Sequence, residues 1–592
     1  VESLALLKSS RLVRGLHDDR VEAWHDRIRE TVVKGIDDER TRSLHARLAE
    51  ALKDSADIDV VAWHLGAAGL LERAAETMIE AARRSVAQLA FERAAVLFER
   101  ALQLLPIDDR RRKQLRIELA DVWASAGRGA ISAQSYELAL TEAGEASVAE
   151  LEMRRRAAEQ LLRSGHIDQG LAAVNQVLSA MGMALAKTPR RALMALALRR
   201  VHIWLRGRSF EETPETHIAP AMLQRIDACW SVSMGLSMVD TIRGASFQAR
   251  QLLLALDAGE PNRVTRALAA EAAFVATAGI NAEKKAGRLV SEARELAERL
   301  SDGGLIGLVD FCAGLTRFLV GRWREAATYT AQAERRFAEV GSRLSWEAAN
   351  SRLFTVWSLF YLGDIAGLSV RIPALTREAE ERGDRYAVTS LRCGLANVAL
   401  LAAGDPAGAR EAVASAMAGW STRSFHFQHY WAALSETMID LYTCEYGKSL
   451  DRMERCMRAL SDSQLLRIQN VRVEARSVMA RVLLALGRFD EARAQAALLA
   501  REGVGWADAL ALLVEGLAGD EESLRKSIEA FDRHEMALFS ASARLRLGQR
   551  QANAVGEANV RAATAWMIAQ GVKDPGHLAN TLAPNPAPRS LG

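Results

Sequence analysis

The densest set of side chains able to do chemistry is Phe425-His426-Phe427-Gln428-His429-Tyr430-Trp431. Two imidazoles three residues apart share one helix face, a spacing that suits a metal pair or two hydrogen-bonding groups in a ligand groove, with Tyr430 and Trp431 as stacking surfaces. A zinc helix would need the glutamate of H-E-x-x-H and a third ligand, and neither stands nearby. The competing reading makes Phe427, Tyr430, Trp431 and Leu434 the packing stripe of a repeat helix, and it is the favoured one. Phe425, His426, His429, Tyr430 and Trp431 are kept as candidate partner- or ligand-binding residues. No catalytic, cofactor-binding or metal-binding residue is assigned.

The other constellations read as structure. His25-Asp26 could polarise an imidazole, but no nucleophile lies at a recognisable spacing. His45 and His64 sit beside Leu44 and Trp63 on helical patterns, as half-buried packing residues. Met234 and Met238, with Leu236 and Val239, could form a soft ligand groove; a methionine-rich helix face is more often core. Ser231, Ser233 and Ser237 lack the G-x-S-x-G setting of a hydrolase elbow. Gly447-Lys448-Ser449 ends like a phosphate-binding loop, but Tyr442 stands where its first glycine must be. A phosphate cradle needs glycines to bring several amides to one anion, so that reading is rejected.

Charge narrows the partners. The 592 residues carry 77 Lys and Arg against 74 Asp and Glu, a formal charge of +3. The densest basic runs, Arg110-Arg111-Arg112-Lys113 and Arg154-Arg155-Arg156, lie beside glutamates in helical patterns and read as solvated faces. No nucleic acid is expected as partner, and no membrane, because the most apolar windows are short or interrupted by arginine. Cys229, Cys312, Cys393, Cys444 and Cys456 are odd in number and form no C-x-x-C pair, as reduced thiols of a cytoplasmic protein would be. The chain opens on Val1 inside a helical pattern, which suggests a piece of a longer protein.

Long helices must position these residues. There are 11 prolines, and none between Pro406 and Pro575, a gap that suits uninterrupted helices. A turn recurs as an apolar residue, glycine, a polar residue, an aromatic or aliphatic residue and, three positions on, a small one. The clear copies run Val320-Gly321-Arg322-Trp323 to Ala326 and Leu486-Gly487-Arg488-Phe489 to Ala492, with weaker copies at Gly363 and Gly404. Gly279, Gly321, Gly363, Gly404, Gly447 and Gly487 are spaced by 42, 42, 41, 43 and 40 residues. A fixed period in this range marks a repeat architecture of helical hairpins, each helix roughly 18 residues or 27 Å long. Glycine ends one helix, and Asp364 or Asp405 after it caps the next. No hairpin signal between alternating apolar runs appears, so no sheet is expected.

These turns resemble tetratricopeptide repeats longer than the common form. The resemblance implies an all-α, tetratricopeptide-like α-solenoid, a right-handed superhelix of antiparallel helical hairpins. Trp24-His25-Asp26-Arg27-Ile28-Arg29-Glu30, with Arg40 to Ala49, resembles the winged-helix-like segment that closes the ATPase module of large bacterial signalling ATPases. Ala565 to Pro575 resembles the C-terminus of bacterial serine/threonine protein kinases that carry an AAA- or STAND-type ATPase and a repeat tail.

The expected organisation is a winged-helix-like remnant at 1–55 and helical repeats at 56–186. An irregular helical junction at 187–260, repeats at 261–574 and a disordered tail at 575–592 follow. The resemblance implies a non-catalytic interaction and sensing module of a signal-transduction protein. It would hold a protein or peptide on its concave face and an upstream ATPase domain in cis. ATP and magnesium would belong only to that upstream part, and no cofactor to this chain. The alternative is the effector-binding arm of an ATPase-type transcriptional regulator.

Overall fold

One kind of turn, repeated, builds most of this protein. The computed structural model describes residues 2–15, 21–53, 57–142, 148–340 and 345–585. In it Gly321, Gly363 and Gly487 have φ of 83°, 83° and 73°. Each donates its amide three residues back, to Phe318, Phe360 and Leu484, while the next residue reaches five back, to Arg317, Leu359 and Leu483. This crossed pair closes a helix on a left-handed residue, a conformation that costs little only without a Cβ. Asp364 and Asp405 then accept the amides of Gly367 and Gly408 at 2.9 and 2.8 Å, capping the following helices. Ala326 and Ala492 are fully buried where the paired helices cross, Trp323 is buried and Phe489 half-buried.

Stacked hairpins of this kind make an all-α helical-repeat solenoid, with 31 α-helices among the described residues. Contacts divide it into two units: Val1–Val122 with Glu142–Gly144, and Trp123–Thr141 with Glu145–Gly592. The boundary at 122 falls inside the block 56–186 marked out from the sequence.

Three expectations need correction. A short antiparallel ribbon pairs Val13–Gly15 with Val21–Ala23, where no sheet was expected. Gly447 is not a repeat turn: it lies in a 3-10 helix, Tyr446–Lys448, and the left-handed residue of that turn is Cys444, at φ 61°. The chain beyond Asp574 is not simply a disordered tail, because Pro575–Leu582 is a helix with Leu578 and Leu582 buried. Asp574 caps it through the amide of His577 at 2.9 Å, and proline at the first helical position needs no hydrogen-bond partner. Residues 586–592 lie outside the described residues.

In the larger unit the array winds until one superhelical turn rests on the next. The amide of Gln469 donates to Thr277 O at 3.1 Å, Arg385 to Ser164 O at 3.1 Å and Lys573 to Ala402 O at 2.9 Å. Each acceptor lies one or two residues before a turn glycine. The glycines are part of the contact: a Cβ at Gly363 would lie 2.7 Å from the amide nitrogen of Leu538, and one at Gly321 would lie 2.5 Å from the Trp506 ring. Trp323 stacks on Tyr361 (3.9 Å, 11°) and meets Trp506 edge-on at 5.5 Å. Such ring pairs add to the energy of burial and fix the register between turns.

Candidate functional site

The winding brings together the first helices of successive hairpins. Pro220–Leu236, Pro261–Ala276, Gly303–Leu319, Ser345–Leu362, Phe427–Thr443 and Gln469–Ala485 all send side chains into one cavity. It encloses about 130 Å³, room for about four waters at about 30 Å³ each. Its walls are largely apolar, and aromatic rings form a connected part of them. Phe318 meets Phe354 at 5.2 Å, Phe354 meets Trp357 at 4.8 Å, Trp357 meets Trp431 at 4.9 Å, and Phe427 stacks on Trp431 at 5.6 Å. Interlocked rings have few rotamers open to them, so the cavity is held open rather than collapsing.

Its charge sits at one place. Glu474 is 9% exposed and accepts hydrogen bonds from Tyr361 (3.0 Å) and Tyr430 (2.7 Å), one on each carboxylate oxygen. Burial raises its pKa above the ordinary carboxylate value, against the two hydroxyl donors. Burial and the neighbouring carboxylate push both tyrosines well above their usual range, so they remain neutral donors. The Arg481 guanidinium, lowered by burial to about 10, stays charged at neutral pH and lines a smaller adjoining cavity with Glu474. The larger cavity has no Lys, Arg or His in its lining.

The sequence candidates separate here. Phe427, Tyr430 and Trp431 line the cavity, whereas His426 and His429 do not. Phe425 is half-buried outside it, stacked on His429 at 5.7 Å. His426, 1% exposed, accepts the indole N–H of Trp420 on Nδ1 at 3.1 Å, and its Nε2 lies 2.6 Å from Ser424 Oγ. An indole only donates, so the neutral ring carries its hydrogen on Nε2 and gives it to the serine. That tautomer cannot take a proton from Ser424. His429 Nδ1 accepts the His426 amide at 3.1 Å, and burial lowers both imidazole pKa values, that of His426 to about 4. These histidines hold the start of a helix.

Met234 and Met238, read from the sequence as core, form part of the cavity wall together with Ser237. Asn470 and Glu474 were not singled out. Their spacing of four residues puts both on one face of the helix Gln469–Ala485, but that helix also carries Arg472, Arg476 and Arg481, so the pair does not stand out. His45 and His64 approach through their Nδ1 atoms at 2.7 Å, beside Trp63. Among the described residues no three His, Cys, Asp or Glu side chains are grouped to hold a metal, and no helix is long and apolar enough to cross a membrane.

No protein-family model and no curated protein matches the chain. Three solved structures are similar at 12% identity. One is a signal transduction ATPase with numerous domains (STAND) carrying a tetratricopeptide repeat sensor, from Pyrococcus horikoshii (TM-score 0.27; 70% of this chain and 57% of that one). Another is a Rap protein complexed with competence and sporulation factor (TM-score 0.28; 77% and 99%). The third is yeast Tom70 (TM-score 0.25; 91% and 97%). The chain thus spans little more than half the length of the STAND protein.

Proposed function

We propose that this chain is a non-catalytic sensing module in which a ligand binds between the first helices of the repeats and a protein partner reads the result. The observation that carries this is the cavity: its lining runs from Met234 to Glu474, so one ligand touches hairpins that lie far apart in the chain along a whole superhelical turn. A ligand that contacts every hairpin of a superhelical turn favours one winding over others, and a population shift needs only that differential affinity. Ala273, half-buried in the lining, provides the test. Fragment binding seen by ligand-observed NMR in the unaltered chain should vanish in Ala273→Trp, which fills the space. Undiminished binding in that variant would refute the site.

The array is further proposed to serve a larger cytoplasmic signalling ATPase in cis, with a serine/threonine kinase ahead of it. The Trp24–Ala49 motif supports this, as does the order of a helix, Glu2–Ser9, followed by a two-stranded ribbon, the order in which a winged helix ends. Equal activity of the full-length parent with and without residues 60–592 would sink this reading.

A further inference from the structure

The hydroxyls and side-chain amides around the cavity are nearly all committed. The hydroxyls of Ser237, Thr241 and Thr277 donate to carbonyls of their own helical turns at 2.7, 2.7 and 2.6 Å. Asn350 donates to Trp346 O at 2.9 Å and accepts from Tyr386 at 2.8 Å. Tyr430 and Tyr361 are spent on Glu474. Among the side-chain amides and hydroxyls of the lining the exception is Asn470, 8% exposed, whose Nδ2 has no hydrogen-bond partner. It stands near enough to the Tyr361 hydroxyl to affect it, but makes no bond of normal geometry. A buried amide donor left unpaired is costly, so an acceptor placed there is strongly favoured.

Charge decides what carries that acceptor. An anion would enter beside Glu474 with no cation in the lining to receive it. A cation would find both Glu474 oxygens already occupied by tyrosine hydroxyls and the carboxylate facing Arg481. Size points the same way: the space of about 130 Å³ is close to that of an engineered apolar cavity of about 150 Å³ that holds benzene. We infer that the cavity takes a neutral, ring-bearing molecule whose carbonyl-type oxygen accepts the free amide hydrogen of Asn470. This rests on the reading of the cavity as a ligand site.

Four probes built on one benzene ring separate the possibilities: acetophenone, ethylbenzene, benzoate and benzylammonium. Dissociation constants come from ligand-observed NMR and from quenching of the lining tryptophans in the unaltered chain and in Asn470→Leu. The two neutral probes should bind at least about tenfold more tightly than either ion. The ratio of the ethylbenzene to the acetophenone constant should fall about fivefold in Asn470→Leu, the value of one hydrogen bond. Rings that bind without regard to charge, or an unchanged ratio in the variant, overturn this assignment and leave the cavity a ligand site. Binding of none of the four overturns both. The order of the four in the unaltered chain tests the charge argument even if the variant does not fold.

Discussion

Replacing Gly363 and Gly487 by alanine, one at a time, separates the local demand for glycine from the demand made by the next superhelical turn. The two turns have the same crossed hydrogen bonds and nearly the same φ. Each substitution therefore carries the same left-handed strain, about 1–2 kcal/mol. They differ in what the new methyl meets. At Gly487 nothing lies within 4 Å, whereas at Gly363 the Leu538 amide nitrogen is 2.7 Å away and the Ala537 Cβ 3.1 Å away. Backbone cannot swing aside as a side-chain end can, so the two turns must separate, an overpacking cost of about 1–3 kcal/mol more. Gly363→Ala should therefore lose about 2–5 kcal/mol in urea unfolding followed by far-UV circular dichroism, and Gly487→Ala about 1–2. Hydrogen exchange by mass spectrometry locates the damage: Gly363→Ala should speed exchange at both 359–367 and 537–541, Gly487→Ala only around 483–491. Equal losses, with 537–541 unaffected, would refute the contact between turns.

Three further outcomes follow from the same packing. Trp323→Ala removes a buried ring stacked on Tyr361 and should cost about 3–5 kcal/mol, read by urea unfolding. Truncation after Asp574 removes Thr581 O from Arg481 (2.9 Å) and Ala583 O from Arg546 (2.6 Å), leaving two buried guanidinium groups short of acceptors. It should cost at least about 3 kcal/mol, and a truncated chain as stable as the whole would contradict the burial of that helix. His426, lowered to about 4 from an ordinary 6.5, contributes stability that is fully present above 6.5 and lost as pH falls through about 4. The total is at most about 3 kcal/mol. In His426→Gln the urea midpoint should change less between pH 7 and pH 4.5 than in the unaltered chain.

What the sequence disclosed depends on how local each signal is. The hairpin array was legible because Gly321, Gly363 and Gly487 each close a helix by bonds within six residues, and that chemistry repeats with the chain. Gly447 misled for the same reason: it keeps the period, but Cys444 three residues earlier already makes the turn. The helix at Pro575–Leu582 was hidden by proline counting, although Asp574-Pro575 is an ordinary helix start. The cavity could not be read at all from spacing. Its walls join Met234, Phe354, Trp431 and Glu474, which meet only after a full superhelical turn is wound, and Met234 on its own helix is indistinguishable from core.

The stacking of one turn on another sets a rule for how such a chain can change length. In an open solenoid each repeat touches only its neighbours, so a hairpin can be gained or lost anywhere along the array. Here Gly279 belongs with Gln469 and Gly363 with Leu538, like matched threads of a screw. Deleting one hairpin between them would present every later thread with the wrong groove. Length should therefore vary freely only beyond the last matched pair or within loops that face away from it, and the number of hairpins between matched glycines should be fixed in any working variant.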